Sequence, residues 1–144
     1  MKKILILAIL GLSMNLSAQS ADWLEVIASN SVRNFEGYLF QNGADINQCV
    51  EIKGSEYHLL SAALRMESKV LFDHILNNES LDLKTICTDK TILQYAVKYG
   101  NVDQVKKLIA AGADPNQVSS KGKSALDYAK KYEKPVIAGV LKQY

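Results

Sequence analysis

The chain has 144 residues, enough for one modest domain. It carries 17 Lys+Arg against 15 Asp+Glu. No block of five like charges appears, which excludes an acidic or basic tail of the kind that binds nucleic acid or a charged surface.

The segment from Met1 to Ser20 reads as a targeting signal. Lys2 and Lys3 give a basic start, Ile4 to Leu12 is an almost purely apolar run, and small residues follow. Ala18 and Ser20 place cleavage after Ser20, with cleavage after Ala18 as the less regular alternative. The run is too short to span a membrane, which takes roughly 20 residues. A buried first helix is the other reading, but such a helix would have no polar face. No cysteine lies near the cleavage site to carry a lipid anchor. The short basic start followed by Ile and Leu is of bacterial type, so the expected destination is the periplasm or the exterior. That segment holds two lysines and no acid, so without it the basic and acidic residues balance. The slight positive charge of the whole chain is therefore no sign of a nucleic-acid partner.

Four pairs of short helices follow in chain order. The first pair spans about residues 21–47, with Trp23, Leu24, Val26 and Ile27 on one helix and Val32, Phe35, Leu39 and Phe40 on the next. The second spans about 53–83, with Leu59, Leu60, Ala62 and Ala63 inward and Val70, Leu71, Ile75 and Leu76 as the outer stripe. The third, about 87–116, is the most regular. Thr91 caps its first helix, Leu93, Ala96 and Val97 give that helix an apolar face, and Gly100 and Asn101 interrupt the pattern. Val102, Val105, Leu108 and Ile109 form the second stripe, which Gly112, Asp114 and Pro115 close. The fourth spans about 120–144. Ser124 sits at a cap, Pro135 suits a first turn, and Val136, Ile137, Val140 and Leu141 cover the last face.

These pairs repeat. Ala62, Ala96 and Ala129 stand at a nearly constant interval along the chain. HLLSAA at 58–63, ILQYAV at 92–97 and ALDYAK at 125–130 surround the three alanines. GADIN at 43–47 returns as GADPN at 112–116, two such intervals later. The unit resembles an ankyrin repeat, with TILQYA where that family has TPLHxA and GADPN where it has GADxN. The resemblance covers roughly 21–144 and is strongest from 89 to 130. The first pair lacks the TPLH-like start, as a terminal cap would. In the second, Tyr57-His58 stand for the family's Thr-Pro and NNESLD for its closing GAD. The resemblance implies an all-α solenoid of about four helix-turn-helix repeats, each burying the apolar face of its neighbour.

It also implies where the side chains with chemistry sit. Cys49 and Cys87 should fall in successive turns on one edge of the stack. In an exported chain an even cysteine count favours a Cys49–Cys87 disulfide, with two buried free thiols as the alternative. His58 and His74 show no metal-ligand spacing, and no CxxC occurs. His58 is expected to make a local hydrogen bond and His74 to be a partly exposed helix residue. Neither GxSxG nor a glycine-rich phosphate loop is present. Asp73, Asp103 and Asp127 fall on solvated or capping positions. An enzyme and a cofactor are therefore not expected.

Tyr99 and Tyr132 occupy matching positions at the ends of inner helices, each preceded by a lysine, Lys98 and Lys131. Arg65 takes the same position in the second repeat. In the family this position faces the concave groove, and Tyr and Arg are residue types that anchor interfaces. The expected binding stripe is Arg65, Lys98, Tyr99, Lys131 and Tyr132, the alternative being ordinary packing of the tyrosines. The turn tips add Glu51, Lys53, Glu56, Lys90, Lys121 and Lys123. The sequence thus points to an exported module that binds another protein, not nucleic acid or a membrane. An inhibitor or immunity protein, an accessory factor of a periplasmic enzyme, and a secreted effector that binds host proteins are the roles it admits. A small enzyme on the same scaffold is the rival from another class.

Overall fold

The structure, a computed structural model, describes residues 23–144. The expected signal at 1–20 lies outside the described residues. Among those residues, eight helices and one small sheet follow in order: α1 (23–28), α2 (Val32–Asn42), β1 (Cys49–Ile52), β2 (Ser55–His58), α3 (Leu59–Arg65), α4 (Lys69–Leu76), α5 (Ile92–Tyr99), α6 (Val102–Ala110), α7 (Ala125–Lys131) and α8 (Pro135–Leu141).

Most of these helices start where a side chain can take up an orphan amide. Thr91, Asn101 and Ser124 each accept from the third residue of the helix, and Gln94, Gln104 and Asp127 reach back to the cap's own N–H. Asp127 therefore fills the local backbone role expected of it. At α3 the cap is His58, whose Nδ1 accepts from the Leu60 amide at 3.1 Å. Ser31 caps α2 through its hydroxyl.

The short helices cannot bury their apolar faces alone, so they stack. Within pairs, α3 packs on α4, α5 on α6 and α7 on α8; between pairs, α3, α5 and α7 form a continuous inner row. Ala62, Ala96 and Ala129 are fully buried along that row, where a side chain larger than a methyl would push the helices apart. In the outer row α2 meets α4, and α6 meets α8. The core runs unbroken from Trp23 through Phe35, Leu60, Phe72 and Ile92 to Leu141.

Several expectations need correction. The fold is not all-α: β1 and β2 pair antiparallel, Cys49 opposite His58 and Ile52 opposite Ser55. Lys53 and Gly54 both have positive φ at the tip, the backbone a tight two-residue hairpin requires. Cys49 therefore opens a strand of the hairpin instead of lying in a turn. Cys87 does sit at a turn, in an antiparallel bridge to Lys90. Three residues placed in apolar stripes face outward: Phe40 (88% exposed), Val136 (66%) and Val70 (47%). Phe40 is five positions beyond buried Phe35, a rotation of about 140° around the helix. In α4 the buried residues are Leu71, Phe72 and Ile75, so Phe72 takes the place expected of Val70.

The turns are bonded from one repeat to the next. Asn47 donates to the Ser80 carbonyl at 2.7 Å and accepts from the Asp82 amide at 2.7 Å. The NNESLD segment that replaces the family's closing motif thus carries its own turns, with Asn78 capping Ser80 and Asp82 capping Lys84. The Ser120 amide donates to the Asp89 carbonyl at 3.0 Å. Cys49 and Cys87 form a disulfide between the hairpin and the next turn, with Cα atoms 5.8 Å apart.

Candidate protein-binding face

The inner helices turn one face toward the hairpin and the turns that follow it. Tyr95 and Tyr99 are four positions apart on α5, and Tyr128 and Tyr132 stand four apart at the end of α7, so each pair shares one helix side. Their rings stack with centroids 6.2 and 5.9 Å apart and planes 9° and 18° from parallel. Tyr57 reaches in from β2 and places its centroid 5.2 Å from that of Tyr95.

Cations bridge these rings across repeats. The Arg65 guanidinium lies 5.7 Å from the Tyr57 centroid and 5.2 Å from that of Tyr99. Lys98 lies 4.7 Å from Tyr99 and 5.7 Å from Tyr132, and Lys131 lies 5.8 Å from Tyr132. Lys90 spans Tyr95 at 5.8 Å and Tyr128 at 5.5 Å. Each such contact contributes about 0.5–1 kcal/mol where water can reach it. The five residues of the expected stripe are thus one contiguous ribbon. It is partly packing as well, since Tyr95 and Tyr128 beneath it are buried.

The electrostatics follow from this crowding. Burial opposes ionisation of Tyr99, but hydrogen bonds from Lys98 and Tyr57 and the Lys98 and Arg65 charges hold its phenol below the usual value. Tyr57 is raised, first by burial and then by its hydrogen bond to Tyr99. Burial, with the Asp89 charge behind it, pushes Tyr95 up to about 12. The hydrogen bond to Tyr99 raises Lys98. Lys98 therefore stays charged at neutral pH. A groove of about 340 Å³ runs beside it, walled by Glu56 and Tyr57 of the hairpin and by Asp89 and Lys90 of the next turn.

The turn-tip candidates divide. Glu51, Lys53 and Glu56 are exposed on the hairpin. Lys90 and Lys121 are drawn to Asp89, with Nζ–O distances of 3.0 and 3.2 Å. Burial of Asp89 opposes its ionisation, yet the hydrogen bonds and charges of the two lysines prevail and hold it below the ordinary carboxylate value. Lys123 and Lys130 form no ion pair with the described residues. Sequence reasoning does not single out Tyr57, Tyr95 or Tyr128. The recurrence of Tyr95 at Tyr128, one repeat later, is the signal for two of them; Tyr57 comes from the hairpin and has no counterpart.

A second cleft, of about 660 Å³, opens between α4 and α6 around Phe72, Asp73, Val102 and Lys107. Lys107 reaches Asp73 at 2.8 Å and Asp103 at 3.4 Å, so the two acids are held by one ammonium. His74 pairs with Glu36 and meets Phe35 edge-on. No group of three His, Cys, Asp or Glu side chains placed to hold a metal exists among the described residues. No helix among them is long and apolar enough to cross a membrane.

Helix pairs stacked in one row, with their turns bonded to each other, define a helical-repeat scaffold. Residues 75–129 match the family model described as "Ankyrin repeats (many copies)", which supports the resemblance of this part of the chain to the ankyrin-repeat family. A search of curated proteins finds no match to it. Ankyrin repeats are in general protein-interaction modules and typically not enzymes.

Proposed function

We propose that this protein is exported and binds another protein along its inner-helix face and turn tips, as an inhibitor or as an accessory factor of a periplasmic enzyme. The observation that carries the reading is the ribbon of Arg65, Lys98, Tyr99, Lys131 and Tyr132. Amphipathic rings held rigid by bridging cations offer large contact area at little entropic cost, the usual make-up of an interface anchor. The apolar leader at 4–12 behind two lysines supports export.

Periplasmic capture with the tagged protein, followed by quantitative mass spectrometry, tests the binding face. The Tyr99→Ala/Tyr132→Ala variant should lose the specific partner at least tenfold while folding normally. Undiminished capture by that variant rules the ribbon out as the main contact. The mass of the purified protein reads the leader: loss of residues 1–20 is expected, and an intact N-terminus contradicts export.

A further inference from the structure

The ribbon ends in a pocket of about 540 Å³ at the last turn of the stack. Lys90, Lys121, Lys123, Lys130 and Lys131 line it around the ring of Tyr128, and Asp127 is the one lining carboxylate. Asp127 accepts from the Ser124 amide at 2.9 Å, and this bond, with the nearby Lys123 and Lys130 charges, holds its carboxyl below the ordinary value, so one carboxylate faces five ammonium groups. Asp89 engages Lys90 and Lys121, so the lining ammonium groups without an ion-pair partner among the described residues are those of Lys123, Lys130 and Lys131. Like charges converging on one concavity repel one another and gain from a counter-charge placed between them.

The wider sequence has the same polarity. Residues 21–89 hold five basic and eleven acidic residues, whereas residues 90–144 hold ten lysines and four acidic residues. A chain that is neutral without its leader is therefore strongly basic at one end of the stack, and the pocket lies in that end.

We propose that this pocket receives a carboxylate-rich segment of the partner protein, with an apolar or aromatic side chain of that segment against Tyr128. The proposal rests on the reading of the inner-helix face as a protein-binding surface and names the chemistry of what binds there. A peptide suits it better than a nucleic acid. The pocket is short and ringed by lysines about one buried tyrosine, whereas a nucleic-acid strand needs a longer basic track with exposed aromatic faces for successive bases. The acidic half of the stack would repel the continuation of such a strand.

The test uses the processed protein, a dye-labelled glutamate-rich peptide as probe, its glutamine counterpart as control, and fluorescence anisotropy as readout. The glutamate peptide should bind and the glutamine peptide should not, and binding should weaken steeply with salt. Lys123→Gln/Lys130→Gln should weaken it about tenfold with an unchanged melting temperature. Lys106→Gln/Lys142→Gln, which removes two lysines elsewhere, should leave it unchanged. Equal binding of the two peptides, or equal loss in the two double variants, overturns the proposal. So does tighter binding of single-stranded DNA or of phosphatidylglycerol vesicles than of the peptide. Salt-sensitive self-association abolished by Lys123→Gln/Lys130→Gln also overturns it, because the occupant is then a second copy. These variants leave the Arg65–Tyr99–Tyr132 ribbon intact. A partner lost on Tyr99→Ala/Tyr132→Ala while the glutamate peptide fails to bind refutes the acidic occupant and leaves the binding face standing.

Discussion

The side-chain amide of Gln94 donates to the main-chain carbonyl of Lys123 across 2.8 Å, joining the third inner helix to the turn that opens the fourth repeat. The same amide nitrogen donates to the Gln117 carbonyl at 3.2 Å, and its Oε1 accepts from the Thr91 amide at 3.2 Å. Gln94 and Thr91 are buried, whereas the two carbonyls lie in a turn at the surface, where that of Lys123 also accepts from the Ser119 amide at 2.8 Å. Gln94→Leu should lower stability by about 1–3 kcal/mol, because it removes the acceptor of the buried Thr91 amide and the donor to the Gln117 carbonyl. Equilibrium urea unfolding measures the loss. A change under about 0.5 kcal/mol would show that water satisfies these groups instead.

Gly100 and Gly139 should respond in opposite directions to the same substitution. A Cβ at Gly100 would stand 2.7 Å from the Ala96 carbonyl oxygen and 3.3 Å from Leu64 Cδ2. The carbonyl belongs to a packed helix end and cannot swing away, so Gly100→Ala should destabilise by about 1–3 kcal/mol. At Gly139, inside α8, a Cβ meets nothing within 4 Å. Gly139→Ala should stabilise by about 0.5–1 kcal/mol, because alanine loses less backbone entropy in a helix. Thermal melts of the two variants against the parent decide the matter, and equal shifts of one sign would refute the placement of both residues.

His58 should make stability depend on pH below neutrality. It is 1% exposed, its Nδ1 caps α3 and its Nε2 has no protein partner. Burial lowers its pKa from 6.5 to about 4, against a weaker opposing pull from the Asp82 and Asp45 charges. The unfolded chain thus binds this proton first. The contribution of the neutral ring is complete above about pH 6.5 and is lost as pH falls toward 4, by about 3 kcal/mol in all. His58→Thr keeps a cap and removes the titration. The stability difference between parent and variant should shift by that amount between pH 7.5 and 4, and parallel pH profiles would show that His58 does not carry it.

The repeat and its helix pairs are legible because they rest on local signals: caps at Thr91 and Ser124, and the buried alanines Ala62, Ala96 and Ala129, one in each of the last three repeats. The hairpin is less so. Its strands are short, and the alternation of Val50 and Ile52 with Glu51 is too brief to compete with the helical period around it. Phe40, Val70 and Val136 mislead because short helices drift by fractions of a turn, and only the neighbouring pair fixes which side is inward. Tyr99 and Tyr132 are legible as a matched pair. Their joining by Lys98, and the bridge Lys90 makes from Tyr95 to Tyr128, are tertiary facts that repeat spacing does not contain. The cross-repeat bonds of Gln94 are another.

The Cys49–Cys87 bond ties the hairpin to the third repeat across a sequence separation of 38. Closing a loop of that length removes conformations from the unfolded chain and should stabilise by about 3–4 kcal/mol on the chain-entropy account. The bond is also local in what it protects. Cys49 is opposite His58 in the sheet, so its loss should loosen the hairpin that holds the α3 cap and the ring of Tyr57. Cys49→Ser/Cys87→Ser should therefore lower the melting temperature and speed amide exchange across 49–58 more than across 102–110. Uniform exchange with an unchanged melt would mean that the packed helices hold the hairpin without it.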